Sequence, residues 1–269
     1  MALAHGLGEH VGRYEEIASA FADRGVEVCG VDLPGFGRST GRRGHFSGLW
    51  EAIVVILEMA EFLRGRLPPG APLGIAGHSF GAFLSLAFLG RFPDVFTFAW
   101  ISSPLLEPGR NVGKWRRRVA LAAEPWLPWI RLDNGVRSEA CSRDTEALER
   151  LRADGLMHRK VSLRLGRMLI DEAEAVRLRP LQGDLKLLMT QGLADRVCPP
   201  EVGRRYFESI GLRDKRLEEF PGLLHEPFRD VGGEVVLRVV GEWLDGLLGA
   251  WAAGMSVRSR SNGQNRAAS

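Results

Sequence analysis

The chain has 269 residues, 45% hydrophobic and 26% charged, with 36 basic against 33 acidic side chains and a formal charge of +3. That make-up excludes a disordered polypeptide and suffices for a sizeable core. No apolar run reaches the roughly 20 residues a bilayer-spanning helix needs, and the near-balanced charge calls for no nucleic-acid partner.

Three cysteines, Cys29, Cys141 and Cys198, are too few and too scattered for a disulfide framework or a metal site. The opening MALAHGLGEH lacks the basic and apolar regions of a signal peptide, so a cytoplasmic location is expected. In chain order, β-type runs at 2–4, 26–31, 73–76 and 96–101 alternate with helix-period segments at 14–24, 49–66 and 82–91. Parallel strands need such crossovers, so residues 1–103 are predicted to form the first part of a mostly parallel, doubly wound α/β sheet. From 104 to 180 strands disappear, and helical stretches at 145–153 and 161–177 mark an inserted helical cap. The alternation resumes over 181–250 with a strand at 185–190, a helix at 200–210, a strand at 216–220 and an amphipathic helix at 233–248. The polar, Arg-rich tail, 251–269, is expected to be disordered.

Gly77-His78-Ser79-Phe80-Gly81 has the G-x-S-x-G pattern, entered from a β-type run and left through a helical one. Taken alone it could be a glycine-rich turn with Ser79 as helix cap. In this context it predicts a nucleophile elbow, where flanking glycines tolerate a strained turn and the helix N-terminus favours a developing oxyanion. A serine hydroxyl needs a base and an acid that orients it, supplied later in the chain in the order Ser, acid, His. Asp195 follows the 185–190 strand, and His225, the one histidine after Asp195, follows the 216–220 strand. Each alone could be a turn aspartate or a surface histidine, but their order at the same sheet edge predicts a Ser79, Asp195, His225 set. The loop His5-Gly6-Leu7-Gly8 reads either as a plain turn or as a glycine-rich loop whose Leu7 N–H joins that of Phe80 in an oxyanion hole.

The strings HGLGEHVGRY (5–14), VDLPGFGRSTGRRGH (31–45), GHSFGA (77–82), QGLADRVCPP (191–200) and FPGLLHEPF (220–228) resemble the monoacylglycerol lipase and lysophospholipase branch of the α/β-hydrolase superfamily, which is serine aminopeptidase S33-like. The resemblance implies the α/β-hydrolase fold and a serine hydrolase of single-acyl lipid esters, with a helical cap over the site. Ser79 would be nucleophile, His225 base, Asp195 its partner, and Leu7 and Phe80 oxyanion donors. It implies no metal and no organic cofactor, with a small-molecule lipid ester as the partner. Cys198 resembles a near-site thiol of some members, and reads equally as a small buried filler. Relatives carry two further strands before the strand that enters the His5 loop, so the amino-terminal strands are expected to be missing and residues 26–31 to form an exposed edge. Rival readings are a short-chain carboxylesterase, an S33-type aminopeptidase, or a catalytically inactive truncated binding protein. Epoxide and haloalkane hydrolases of this fold need Asp where Ser79 stands.

In the cap, Trp115, Trp126 and Trp129 lie near Arg116, Arg117 and Arg118. That composition suits a helix touching a membrane surface. The plainer expectation is that the tryptophans form cap core beneath a solvated basic face.

Overall fold

The structure, a computed structural model, describes residues 1–110 and 112–267, with 255–267 described by backbone alone. In chain order the core opens with β1 (Ala2–Ala4), α1 (Glu15–Ala22), β2 (Cys29–Gly30), α2 (Trp50–Arg64), β3 (Gly74–His78), α3 (Phe80–Leu89) and β4 (Phe98–Ser102). The cap follows as α4 (Lys114–Ala123), β5 (Arg131–Asp133), α5 (Thr145–Ala153), β6 (Lys160–Ser162) and α6 (Leu163–Leu178). The core resumes with β7 (Gln182–Gly192), α7 (Pro200–Ser209), β8 (Gly211–Phe220) and α8 (Glu234–Ala267). Of the expected disordered tail, 251–269, residues 251–254 belong to α8, Trp251 donating to Gly70 O (2.9 Å), and the rest lies outside the fully described residues.

Six strands form one parallel sheet in the order β2, β1, β3, β4, β7, β8. Every residue of β3 and β4 is buried, as central parallel strands covered on both faces must be. On one face Ile53, Ile56 and Leu63 of α2, Phe83 and Leu84 of α3 and Leu169 of α6 join a single cluster. On the other, Ile17 and Phe21 of α1 and Val236, Val240 and Leu244 of α8 pack on Phe98, Trp100 and Leu188. This two-sided cover holds the carboxyl ends of β1, β3, β7 and β8 at one edge, where ligands of such sheets bind.

Three sequence expectations change. The strand expected over 26–31 pairs only at Cys29 and Gly30. Upstream, the Val26 N–H still donates to Phe21 O at the end of α1 (3.0 Å), and downstream the Asp32 carboxylate bends the chain by accepting from Val11 N–H (2.8 Å) and Arg38 N–H (2.7 Å). The exposed edge is therefore short, which blunts its capacity to template pairing. Strands do not vanish from the cap: β5 and β6 pair antiparallel, Leu132 opposite Val161. Finally, Trp115, Trp126 and Trp129 are not cap core, being 67%, 75% and 48% exposed. Trp115 sits on α4 and the other two follow it; α4 buries no residue, because Lys114 and Arg116 to Arg118 leave only the small side of Ala120 and Leu121 to face α6.

The cap packs on the core through α6, whose Leu165, Leu169 and Ala173 join the core cluster, and two main-chain bonds add to this. His158 N–H donates to Gly8 O (2.8 Å) and Ser162 N–H to Gly44 O (2.8 Å). Glycine is required at both receiving positions, where φ is +82° and +68° and a Cβ would lie 2.1 Å from His158 O and 1.9 Å from Lys160 O.

Candidate active site

The turn from β3 into α3 carries Ser79 in the left-handed region (φ 53°, ψ −110°). Such strain persists only where the surroundings enforce it. Here the enforcement is close packing: a Cβ at Gly81 would stand 1.9 Å from Ala4 O, and one at Gly77 2.4 Å from Gly81 C. The first helical bond of α3 runs from Phe83 N–H to Ser79 O (3.0 Å), so the Phe80 N–H has no partner within its own helix.

The structure brings Ser79, His225 and Asp195 into one hydrogen-bonded chain. The Ser79 hydroxyl lies 3.0 Å from His225 Nε2, and His225 Nδ1 lies 2.8 Å from Asp195 Oδ2. With the proton on Nδ1, the hydroxyl donates to Nε2 and Nδ1–H donates to Asp195, the only tautomer in which both contacts are hydrogen bonds. Asp195 is held in turn by Val197 N–H (2.7 Å), Cys198 N–H (2.9 Å) and the Gln191 amide (3.0 Å). All three side chains are buried. Burial opposes charge on both Asp195 and His225, but their mutual attraction outweighs it. The carboxyl is held below its usual range and the imidazole is held above its usual value, with Glu226 and Glu9 adding to the latter.

Leu7 lines the cavity beside Ser79, in a loop fixed on both sides. Gly6 N–H donates to Glu9 Oε1 (2.5 Å), and Gly8 O accepts from the cap. Beneath it, buried His5 accepts from Leu33 N–H (3.0 Å) through Nε2. Cys198 is also buried, with Ser79 against it; burial, then the Asp195 charge, push its thiol well up, so it stays neutral near pH 7. Donor atoms of Asp195, Cys198 and His225 lie within 4.8 Å of one another. Nδ1 and Oδ2 are spent on each other and the thiol is neutral, so the trio is better suited to holding a proton than a metal ion.

Two adjoining cavities lie on this side of the sheet. One of about 450 Å³ touches Ser79, His225, Arg13, Asp154 and His158 and is mixed in character. The other, about 170 Å³, is apolar and runs between α4 and α6 past Leu121, Leu163, Leu169 and Ile170. They share Leu7, Leu105, Asn134, Val136 and Val197.

Sequence reasoning did not assign a role to a buried ionic cluster beside the site. Arg13 bridges Glu9 and Glu226, contacting the latter at 3.1 and 2.8 Å, and Arg229 adds a second cation on Glu226 (3.1 Å). The signals were in plain view, in GEH followed by RY and in the glutamate directly after His225.

The family described as serine aminopeptidase, S33, matches residues 1–232. A monoacylglycerol lipase of Mycolicibacterium smegmatis is 30% identical over 243 residues, 90% of this chain and 86% of that protein. Phospholipase YtpA of Bacillus subtilis is 27% identical over 247 residues, 90% of this chain and 93% of that protein. Among solved structures, the monoacylglycerol lipase of Paleococcus ferrophilus superposes with a TM-score of 0.84 at 32% identity, covering 91% of this chain and 93% of that one.

Proposed function

Because the chain belongs to the serine aminopeptidase S33 family, has the α/β-hydrolase fold and is a carboxylic ester hydrolase, we propose that it cleaves the ester of a single-acyl lipid, a monoacylglycerol or lysophospholipid, through an acyl-enzyme on Ser79. The observation that carries this reading is the Ser79, His225, Asp195 hydrogen-bonded chain in the wall of a mixed cavity that adjoins an apolar one. The apolar cavity suits one acyl chain and the mixed cavity suits a polar alcohol.

Ser79 Oγ attacks the ester carbonyl carbon while its proton passes to His225 Nε2. The oxyanion is taken by Leu7 and Phe80 N–H, each such donor being worth about 3 kcal/mol of barrier. Collapse of the tetrahedral intermediate breaks the C–O bond, and the departing alcohol takes the proton back from Nε2. A water then gives its proton to His225, attacks the acyl-serine carbon, and releases the fatty acid as Ser79 recovers its hydrogen. Asp195 stays ionised throughout, holding Nδ1–H and offsetting the transient imidazolium. This chemistry requires no metal and no organic cofactor.

The exposed tryptophans and arginines of α4 and the segment after it support transient contact of the cap with a lipid surface, from which a single-chain ester can be drawn. No helix among the described residues is long and apolar enough to cross a membrane, so contact of this kind would be peripheral. An aminopeptidase would need a free carboxylate for the substrate's amino group. Glu9 and Glu226 are committed to Arg13 and Asp154 to His10, which favours the ester reading. Fluorophosphonate labelling of Ser79, with p-nitrophenyl esters of increasing chain length beside an aminoacyl amide, tests the proposal. Activity should climb with chain length; hydrolysis confined to acetate, or to the amide, would refute it.

A further inference from the structure

Glu9, Arg13, Glu226 and Arg229 are charged groups largely buried beside the site, and no step of the reaction proposed above passes through them. Glu9 is 3% and Glu226 5% exposed. Two anions and two cations in that setting give up a great deal of hydration, and well-packed apolar residues of the same volume would serve stability as well or better. The cluster therefore has some use other than holding the fold together, and its connections indicate which.

One end of the cluster grips the loop that presents the Leu7 amide. Glu9 Oε1 accepts from Gly6 N–H (2.5 Å) and from the Tyr14 hydroxyl (2.5 Å), while Oε2 takes the Arg13 guanidinium. The other end grips the loop that presents the His225 imidazole. Glu226 is its next residue; its carboxylate receives Nη1 and Nη2 of the same guanidinium, its N–H donates to Cys141 O (2.8 Å), and Arg229 closes the cluster by donating to Glu226 and to Arg13 O. On the far side of His225, Leu224 N–H is tied to Asp230 Oδ2 (2.8 Å). A planar guanidinium holding two carboxylates has a fixed span, which an ammonium on a flexible stem would not have.

We infer that Glu9, Arg13 and Glu226 form a positioning strut that sets the separation between the oxyanion-binding amide of Leu7 and the imidazole of His225. These residues act through the two loops. The inference rests on the triad assignment proposed above. Misplacement of reacting groups by about 1 Å costs on the order of a hundredfold in rate, so a strut of this kind should show in turnover and not in substrate binding.

The test is a double-mutant cycle with Glu9→Gln and Glu226→Gln, each of which keeps shape and hydrogen-bonding capacity while removing the charge that holds Arg13. Wild type is first labelled with a fluorophosphonate and assayed on a soluble p-nitrophenyl ester; failure of both would overturn the triad assignment and the strut together. Given an active wild type, each single variant should lower kcat about tenfold, with KM within about twofold and the thermal midpoint reported alongside. The double variant should be no worse than about the poorer single, because either substitution already releases the shared guanidinium. Arg13→Lys should behave like the singles while retaining the positive charge. Multiplicative losses in the double variant would overturn the strut, as would a rise in KM at unchanged kcat, which would make the cluster a binding site for the alcohol.

Discussion

Helices α3 and α4 are each ten residues long, yet α3 buries every residue and α4 none. In α3 the sequence FGAFLSLAFL is apolar around its whole circumference and sits against the sheet, so its N-terminus and the Ser79 turn are fixed by the core. In α4, KWRRRVALAA meets α6 along one narrow strip and gives the rest to solvent. Rigidity is thus concentrated where bonds would be made, and apolar exposure where a lipid surface would be met.

The largest expected effect belongs to the fixed side of this contrast. Ser79→Ala should lower kcat on the order of a millionfold while the melting curve is unchanged. Retention of more than a few per cent of activity would sink the assignment. The pH profile probes the same side. His225 must be neutral to act as base, and its pKa is held above the ordinary imidazole value of about 6.5. The acid limb of kcat/KM should therefore lie above that value, leaving activity at pH 5 about 30-fold or more below the plateau. A limb well below pH 6 would show that Asp195 does not govern the imidazole in solution.

Stability and interfacial behaviour separate the two helices more finely. Gly81→Ala would drive a methyl into Ala4 O and should cost about 3 kcal/mol, or roughly 6–12 °C in melting temperature, whereas Val119→Ala in α4 should stay within about 0.5 kcal/mol. Replacing Trp115, Trp126 and Trp129 together by Ala should lower activity on anionic phospholipid vesicles carrying substrate by about tenfold and leave a dilute soluble ester untouched. Equal losses on both substrates would mean that the tryptophans shape the cavity. The smallest effect is expected at Cys198, whose neutral buried thiol has no step to perform; Cys198→Ala should retain kcat within about twofold.

Much of the core and the candidate site could be read from the residues because their signals are local. Ser79 stands between glycines that close backbone contacts demand, and Asp195 and His225 follow β7 and β8 in the order a serine needs. The cap was less legible. β5 and β6 are three residues each with much of their surface in water, too short to show alternation, and their pairing is fixed by contacts 29 residues apart, Leu132 to Val161. The tryptophans were misjudged because size and hydrophobicity argue for burial, while the arginines that keep α4 off the core act through three-dimensional placement. The Glu9, Arg13, Glu226 cluster joins positions more than 200 residues apart, which no reading of spacing could connect.

The cap's attachment through Gly8 O and Gly44 O has a consequence for how such a molecule changes over generations. Two of the bonds that seat the cap are made by the main-chain amides of His158 and Ser162, which every residue except proline possesses. Exposed or half-exposed side chains lining the apolar cavity, such as Leu121 and Leu132, can therefore be exchanged one at a time, and substrate preference can drift, without breaking these two bonds. The glycines beneath have no such licence, since any side chain there meets cap backbone. Innovation is open on one surface of the joint and closed on the other.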